Sequence, residues 1–289
     1  ADVKGKHRGF MGLWKLYKEL KQEDFEGVAD LHNVLRSNVL KLFFGFGSVP
    51  FVQIEKGRRE KKALTAVKNK VFKPLKTTHD RYSDVFSKLG YPIKLSDENV
   101  LSKQTLSSET LDILNVENKK LIGIAPFAAF EGKRYPLDLM EEVISTFNET
   151  NEYKMILFGG GQEEKEQLEK WSNRYNNCVN LAGRVLFSEE LGVISNLQLM
   201  LSMDSGNAHL AAMYGVPTVT LWGVTHPYAG FYPFGQDSNN ALLADRNKYP
   251  LIPTSIYGNK FPEGYDKAME TIKPSDIVSK IEEVLSRSI

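Results

Sequence analysis

The sequence predicts an α/β protein built on parallel β-sheets with helices on both faces. Three observations carry this. From about Leu121, short apolar runs alternate with longer charged, amphipathic stretches. The apolar runs show no in-and-out alternation, as expected for strands buried on both faces. Turn residues separate the two kinds of segment, which is the spacing of repeated βαβ units. At 289 residues the chain exceeds one core of ordinary size and suggests two domains.

The early part is read first. "GLWKLYKELKQ" (12–22) has the apolar spacing of an amphipathic helix. "FEGVADLH" holds a short strand ending at Asp30, "NVLRSNVLKLFF" a helix, and "VPFVQIEKG" another strand. The polar stretch Ser96–Asn118, with "SSET" inside it, reads as a linker. The domains are therefore expected at 1–115 and 116–289.

The second domain is more regular. "LIGIAPF" is a buried strand, followed by a helix from Leu137 to about Asn148. "YKMILFGG" is the next strand and Gln162–Tyr175 a charged helix. "CVNLAG" is a third strand, and Ser188 is the expected N-cap of the helix in "SEELGVISN". "LMLSMDS" is a fourth strand, Asn207–Tyr214 a short helix, and "PTVTLWG" a fifth strand. Residues 224–265 are rich in Pro, Gly and aromatics. They read as a long functional loop with a short strand near "ALLAD". The tail, 274–289, starts with Pro274 and an N-cap choice of Ser275 or Asp276. This last helix is a candidate to pack back on the first domain.

Composition narrows the function classes. No apolar run approaches the roughly 18 residues of a membrane-spanning helix. The single cysteine, Cys178, rules out an intrachain disulfide and a Cys-based zinc cage, which fits a reducing, cytoplasmic compartment. No set of His and Cys residues has metal-ligand spacing, so no metal is expected. The net charge of +1 hides an asymmetry. Residues 1–80 hold 17 Lys and Arg against 9 Asp and Glu, whereas the remainder holds 20 against 27. The densest run, Lys56, Arg58, Arg59, Lys61 and Lys62, is either a solvated helix start or a patch for an anionic partner. No nucleic-acid-binding module accompanies it, so nucleic acid is not expected.

The chemistry concentrates in "MDSGNAHLAA". Ligands of a parallel α/β sheet bind at the carboxyl ends of its strands. Gly206 lets backbone approach a ligand closely. The N–H groups of Gly206–His209 are the unpaired donors of a helix start, suited to a phosphate. The plainer alternative is that Asp204 or Ser205 caps the helix. A nucleophile elbow is excluded because Met203 and Asn207 stand at its glycine positions. No P-loop motif is present. "GGGQEE" (159–164) follows a strand but lacks the last glycine of a dinucleotide fingerprint, although Glu163 could hold a ribose hydroxyl. In "APFAAFEGKRYP" a mobile Lys133 beside the cradle would stabilise a leaving diphosphate. His226, on the loop after the fifth strand, is a candidate polar contact.

Taken together, "DSGNAHLAA", "GVPTVTLWGVTHP", "KRYP" and "VADLHNVLRS" resemble the signature of glycosyltransferase family 9, the ADP-heptose:lipopolysaccharide heptosyltransferases. The match spans the chain from about Gly5 to the tail. The resemblance implies the GT-B architecture, two Rossmann-like domains with parallel sheets facing across a cleft. It implies inverting transfer of a heptose from ADP-heptose to the inner core of lipopolysaccharide in a bacterium, with no metal or cofactor required. Asp204 would contact the transferred sugar, and Ser205, Gly206, Asn207, Ala208 and His209 would line the diphosphate. Lys133 would bind the phosphate and sugar side of the donor. Glu163 would hold the ribose, Leu186 would pack on adenine, and Thr225 would sit near the phosphates. Arg36, Lys56, Arg58, Arg59, Lys61 and Lys62 would meet the phosphorylated lipid acceptor, with peripheral contact at the inner membrane.

Ala128 and Ala129 stand where several members carry hydroxyls, and His226 where an acid is frequent. The family's first strand and the loop with its proposed general base have no counterpart at "ADVKGKHRGF". Two further readings therefore stand beside the transferase: a nucleotide-sugar-binding pseudo-enzyme, and another GT-B enzyme such as a nucleotide-sugar epimerase.

Overall fold

A computed structural model of the protein describes residues 1–45, 47–96, 98–116 and 119–287. The chain divides into two compact units. The first comprises residues 1–58 and 76–95, the second residues 59–75 and 96–289.

In the first unit, α1 (Gly9–Lys21) packs on α2 (Leu35–Phe44). Its apolar stripe, Leu13, Leu16 and Tyr17, is buried against Phe43 and Phe44. Tyr17 meets Phe44 edge-to-face at 5.0 Å, the arrangement that ring quadrupoles favour. Two short strands, β1 (Val28–Asp30) and β2 (Phe51–Gln53), run parallel. Asp30 ends β1 by turning its carboxylate onto the N–H groups of His32 and Asn33, at 3.0 and 2.8 Å. A helix that the apolar pattern did not reveal, α4 (Thr78–Lys88), follows in the same unit. Thr77 caps it by accepting from the Asp80 N–H. Between β2 and this helix lies α3 (Arg58–Leu64), where the basic run does open a helix.

The second unit is a six-stranded, wholly parallel sheet. Its strands are β3 (Lys120–Ala125), β4 (Tyr153–Leu157), β5 (Cys178–Asn180), β6 (Leu199–Met203), β7 (Thr218–Trp222) and β8 (Ala241–Leu243), in the order β5-β4-β3-β6-β7-β8. Alternate residues of each strand enter opposite layers. Ile122 and Ile124 join one core with Met140, Ile144 and Phe147 of α6 (Leu137–Thr150) and Trp171 of α7 (Gln162–Arg174). Leu121 and Ala125 join the other, with Val193 and Ile194 of α8 (Phe187–Ser195) and Ala211 of α9 (Gly206–Met213). Both faces are thus covered, which is why the strand sequences are mainly apolar.

Several boundaries differ from the sequence reading. The helix α8 begins at Phe187 because the backbone is extended at Leu186, so Leu186 is the N-cap and Ser188 lies inside the first turn. The last helix, α10 (Pro274–Ser286), is preceded by Lys273, with Pro274 in the first position where its missing N–H is harmless. Ser275 and Asp276 are therefore helical. Ile277, Ile281, Val284 and Leu285 of α10 are buried in the second unit's own core, against α6 and β6. Ser288 and Ile289 lie outside the described residues.

The presumed linker is structured. It contains α5 (Ser108–Leu114), capped by Ser107 and anchored by the fully buried Leu114. The N–H of Leu101 donates to the Met213 carbonyl at 2.7 Å, and that of Gln104 to Ser195 Oγ at 2.9 Å. Of its outer residues, Asn118 lies outside the described set. Residues 59–75 also belong with the second unit, although they precede the expected boundary at 115. Lys70 Nζ donates to the carbonyls of Leu64 and Pro253, and the Arg246 guanidinium lies 3.5 Å from the Phe72 ring centre. These contacts fasten the segment to the long 224–265 loop.

Candidate functional site

Chain order within the second sheet reverses between β3 and β6. From β3 the chain moves outward through β4 and β5, then returns to β6 and moves outward through β7 and β8. A crevice opens at such a reversal, beyond the carboxyl ends of the two central strands. A pocket of about 600 Å³ lies here. The segment after β3 supplies Phe127, Ala128, Ala129, Phe130 and Lys133, and the segment after β6 supplies Asp204, Ser205, Gly206 and Asn207.

Lys133 and Asp204 form the polar centre. Lys133 Nζ lies 2.7 Å from Asp204 Oδ2 and donates to the Asp204 carbonyl at 3.1 Å. Thr225 Oγ1 donates to the same Oδ2 at 3.0 Å. The Asp204 side chain is only 7% exposed and that of Lys133 15%, so solvent screens this pair weakly. Lys133 is thus held in place and not the mobile group expected. An ammonium carries three donors. Two are spent on Asp204, which leaves one for a ligand oxygen. Both side-chain contacts to Asp204 fall on Oδ2, which leaves Oδ1 to accept from a ligand hydroxyl.

The turn bearing Lys133 depends on close backbone approach. Gly132 N–H donates to the Gly258 carbonyl at 3.2 Å, and Val224 N–H to the Gly132 carbonyl at 2.9 Å. A Cβ on Gly132 would stand 2.4 Å from Val224 Cγ2 and 2.7 Å from the Gly258 oxygen. Arg134 Nε donates to the Ala128 carbonyl at 3.0 Å and closes the same turn.

The start of α9 opens on the pocket. Ser205 is its N-cap, but the side chain makes no capping bond; its Oγ lies 3.0 Å from Ser202 Oγ. Asp204 is committed to Lys133 and Thr225. Neither residue therefore caps the helix, and the plainer reading of this motif does not describe its geometry. A Cβ on Gly206 would meet nothing within 4 Å. The first N–H groups of α9 and the positive end of its dipole suit an anion here.

The other predicted residues distribute as follows. Ser205, Gly206 and Asn207 line the pocket, Ala208 is buried beneath the helix, and His209 is half-buried within it. Glu163 is exposed on α7; the neighbouring Glu164 lines the pocket instead, with its carboxylate accepting from the Gly160 N–H at 2.8 Å. Leu186 is 76% exposed at the mouth of α8. Arg36, Lys56 and Arg58 belong to the first unit, and Arg59, Lys61 and Lys62 to the second. Lys61 Nζ lies 4.2 Å from the Phe231 ring centre. His226 is buried between Phe72 and Tyr228, and its Nδ1 accepts from the Tyr228 N–H. It serves the aromatic packing of the loop and is not among the residues lining the pocket.

Besides Glu164, the turn glycine Gly132 and the pocket residue Glu190 escaped the sequence reading. Gly132 gave no signal, because the backbone it admits is remote in sequence. Glu190 was read only as a first-turn helix acid, yet it lines the pocket, and burial pushes its carboxyl above the ordinary range. Among the described residues no group of three or more His, Cys, Asp or Glu side chains is placed to hold a metal ion. No helix among them is long and apolar enough to cross a membrane.

The chain is similar to known proteins. Lipooligosaccharide heptosyltransferase 2 of Campylobacter jejuni is 24% identical over 210 residues, which are 70% of this chain and 59% of that protein. The Haemophilus ducreyi protein of the same name is 29% identical over 192 residues, 63% of this chain and 53% of that one. The chain thus spans between half and three fifths of the length of these relatives. Among solved structures, the family 9 glycosyl transferase of Veillonella parvula superposes with a TM-score of 0.70 at 18% identity, covering 99% of this chain and 81% of that one. The E. coli heptosyltransferase WaaC with ADP gives 0.62 at 16% identity, covering 95% and 77%. The fold is therefore the α/β, GT-B type that the sequence suggests. The sequence profile described as glycosyltransferase family 9 (heptosyltransferase) matches residues 13–255. With that match over most of its length, the chain belongs to glycosyltransferase family 9.

Proposed function

We propose that the pocket binds a nucleoside-diphosphate sugar and that the protein transfers the sugar to an anionic glycolipid acceptor. The observation that carries this is the Lys133–Asp204–Thr225 group standing beside the uncapped start of α9. A diphosphate needs donors and positive charge, and a sugar needs a fixed acceptor for its hydroxyls. Both are brought together here at the carboxyl ends of the central strands. ADP-heptose as donor, the lipopolysaccharide inner core as acceptor and inversion at the anomeric carbon follow from the family resemblance. The named relatives are heptosyltransferases, which supports that choice.

In this reading the acceptor hydroxyl oxygen attacks the anomeric carbon and loses its proton to a general base. The bond from that carbon to the diphosphate oxygen breaks, and its electron pair leaves with ADP. Negative charge grows on the leaving oxygen, where the N–H groups of Gly206, Asn207 and Ala208 and the third donor of Lys133 stabilise it. Asp204 Oδ1 orients the sugar. Leu186 offers an exposed apolar surface for the base, and Glu164, more than Glu163, is turned toward the pocket for the ribose. Arg36, Lys56, Arg58, Arg59, Lys61 and Lys62 meet the acceptor's phosphates, which would bring the protein to the inner face of the membrane.

Calorimetric titration with ADP, AMP, UDP and GDP tests the donor site. Saturable binding that prefers ADP, weakened about 10- to 100-fold in Lys133→Ala, is expected for the loss of one charge-assisted contact. Absence of binding by all four nucleotides would refute the donor-pocket reading.

A further inference from the structure

The mechanism above leaves Glu190, a titratable group of the pocket, without a task. Glu190 stands in the first turn of α8, which packs against α9. It shares the pocket lining with Leu210, one helical turn beyond Gly206. With the diphosphate at the start of α9 and the sugar at Lys133 and Asp204, this wall is left for the nucleoside. The same wall carries Leu210, a partly exposed apolar side chain on which a flat base can lie. Among the described residues Glu190's carboxylate has no hydrogen-bond partner, in contrast to Glu164, which accepts from Gly160.

An ionised carboxylate only accepts. In a partly desolvated wall it gains from an N–H and is repelled by a carbonyl oxygen. At C6 adenine presents an exocyclic amine where hypoxanthine presents a carbonyl, and at N1 adenine presents an acceptor where hypoxanthine carries a hydrogen. We propose that Glu190 is a specificity-determining residue that accepts a hydrogen bond from the exocyclic amine of the bound nucleotide, and so selects an amino purine over its oxo analogue. The inference rests on the donor-pocket reading above. Burial raises the carboxyl's proton affinity, which fits a group whose partner arrives with the ligand.

The test compares ADP, IDP, 2′-deoxy-ADP and inorganic pyrophosphate by calorimetry, in the wild type and in Glu190→Gln. The expected wild-type preference for ADP over IDP is about tenfold or more. Glutamine is nearly isosteric and offers both a donor and an acceptor. In that variant the two nucleotides should bind within about threefold of each other, and pyrophosphate affinity should stay as in the wild type. An unchanged ADP-to-IDP ratio in Glu190→Gln overturns the assignment. So does a variant that loses discrimination against 2′-deoxy-ADP while keeping the base preference, since the carboxylate would then face the ribose. Failure of the wild type to bind pyrophosphate and every nucleotide overturns the donor-pocket reading itself, and this inference with it.

Discussion

Asp204 and His226 show how far a single residue's task depends on what surrounds it. Asp204 is buried and holds both Lys133 and Thr225 on one oxygen. Asp204→Asn keeps the shape but removes the charge that fixes Lys133. Transfer should fall by at least about 100-fold, while ADP affinity changes less than about tenfold, because the sugar contact acts mainly on the reacting group. Equal losses in both would refute a sugar-side role. His226 carries a different prediction. Burial, and then the charge of Arg246, push its imidazole down to about 4. The unfolded chain binds that proton near pH 6.5. The resulting stability is fully present above about pH 6.5 and is lost as pH falls toward 4, up to ~3 kcal/mol. His79 is pushed in the same direction by its own burial and adds to the trend. Urea midpoints measured from pH 7.5 to 4.5 should fall less steeply in His226→Gln than in the wild type. Parallel curves would remove His226 as a cause.

Among the elements, the turn between β3 and α6 decides the geometry of the site. Its position is set by backbone contacts to the segments after β7 and around Gly258. Gly132→Ala would place a methyl group 2.4 Å from Val224 Cγ2, so the turn must shift. We expect a loss of about 1–3 kcal/mol in stability, typical of overpacking. A shift of the turn also carries Lys133 away from Asp204, so ADP affinity should fall as well. Denaturant titration and calorimetry on one preparation separate the two effects. Unaltered ADP binding in a folded Gly132→Ala protein would mean that Lys133 does not depend on this turn. The segment 59–75 illustrates the same point from the opposite direction. It opens on the basic run, yet Leu64 is fully buried and Lys70 is spent on two carbonyls.

For the whole molecule, charge distribution is the property that neither residue nor element displays alone. The excess of Lys and Arg lies in residues 1–80, and the pocket lies in the other, more acidic part of the sequence. A phosphorylated acceptor would be drawn by the former and a nucleotide held by the latter. Neutralising Arg58 and Arg59 together should raise the acceptor's KM several-fold at low salt and much less at 0.5 M salt, since exposed charges are screened beyond about 10 Å at 0.1 M. ADP affinity should be unaffected. A KM that does not respond to these changes would mean that the basic run is only a solvated helix, as its composition also permits.

Much of this protein was written in local pattern. Strands buried on both faces are mainly apolar, so "LIGIA", "YKMIL" and "LMLSM" identified themselves, as did the motif at Asp204–His209. The family signature came with them. What local pattern could not carry was anything settled by residues distant in the chain. Whether Asp204 caps a helix or clamps a lysine depends on Lys133, 71 residues earlier, and on Thr225, 21 residues later. That Glu164 and Glu190 face the pocket while Glu163 faces solvent depends on how α7 and α8 rotate onto the sheet. The membership of residues 59–75 and 96–116 in the second unit depends on single hydrogen bonds and buried leucines. Sequence determined the elements and the segments after β3 and β6 that border the pocket, because periodicity and backbone chemistry act over a few residues. Tertiary structure alone decided the partners, because a carboxylate's role is fixed by whichever group the fold brings within hydrogen-bonding distance.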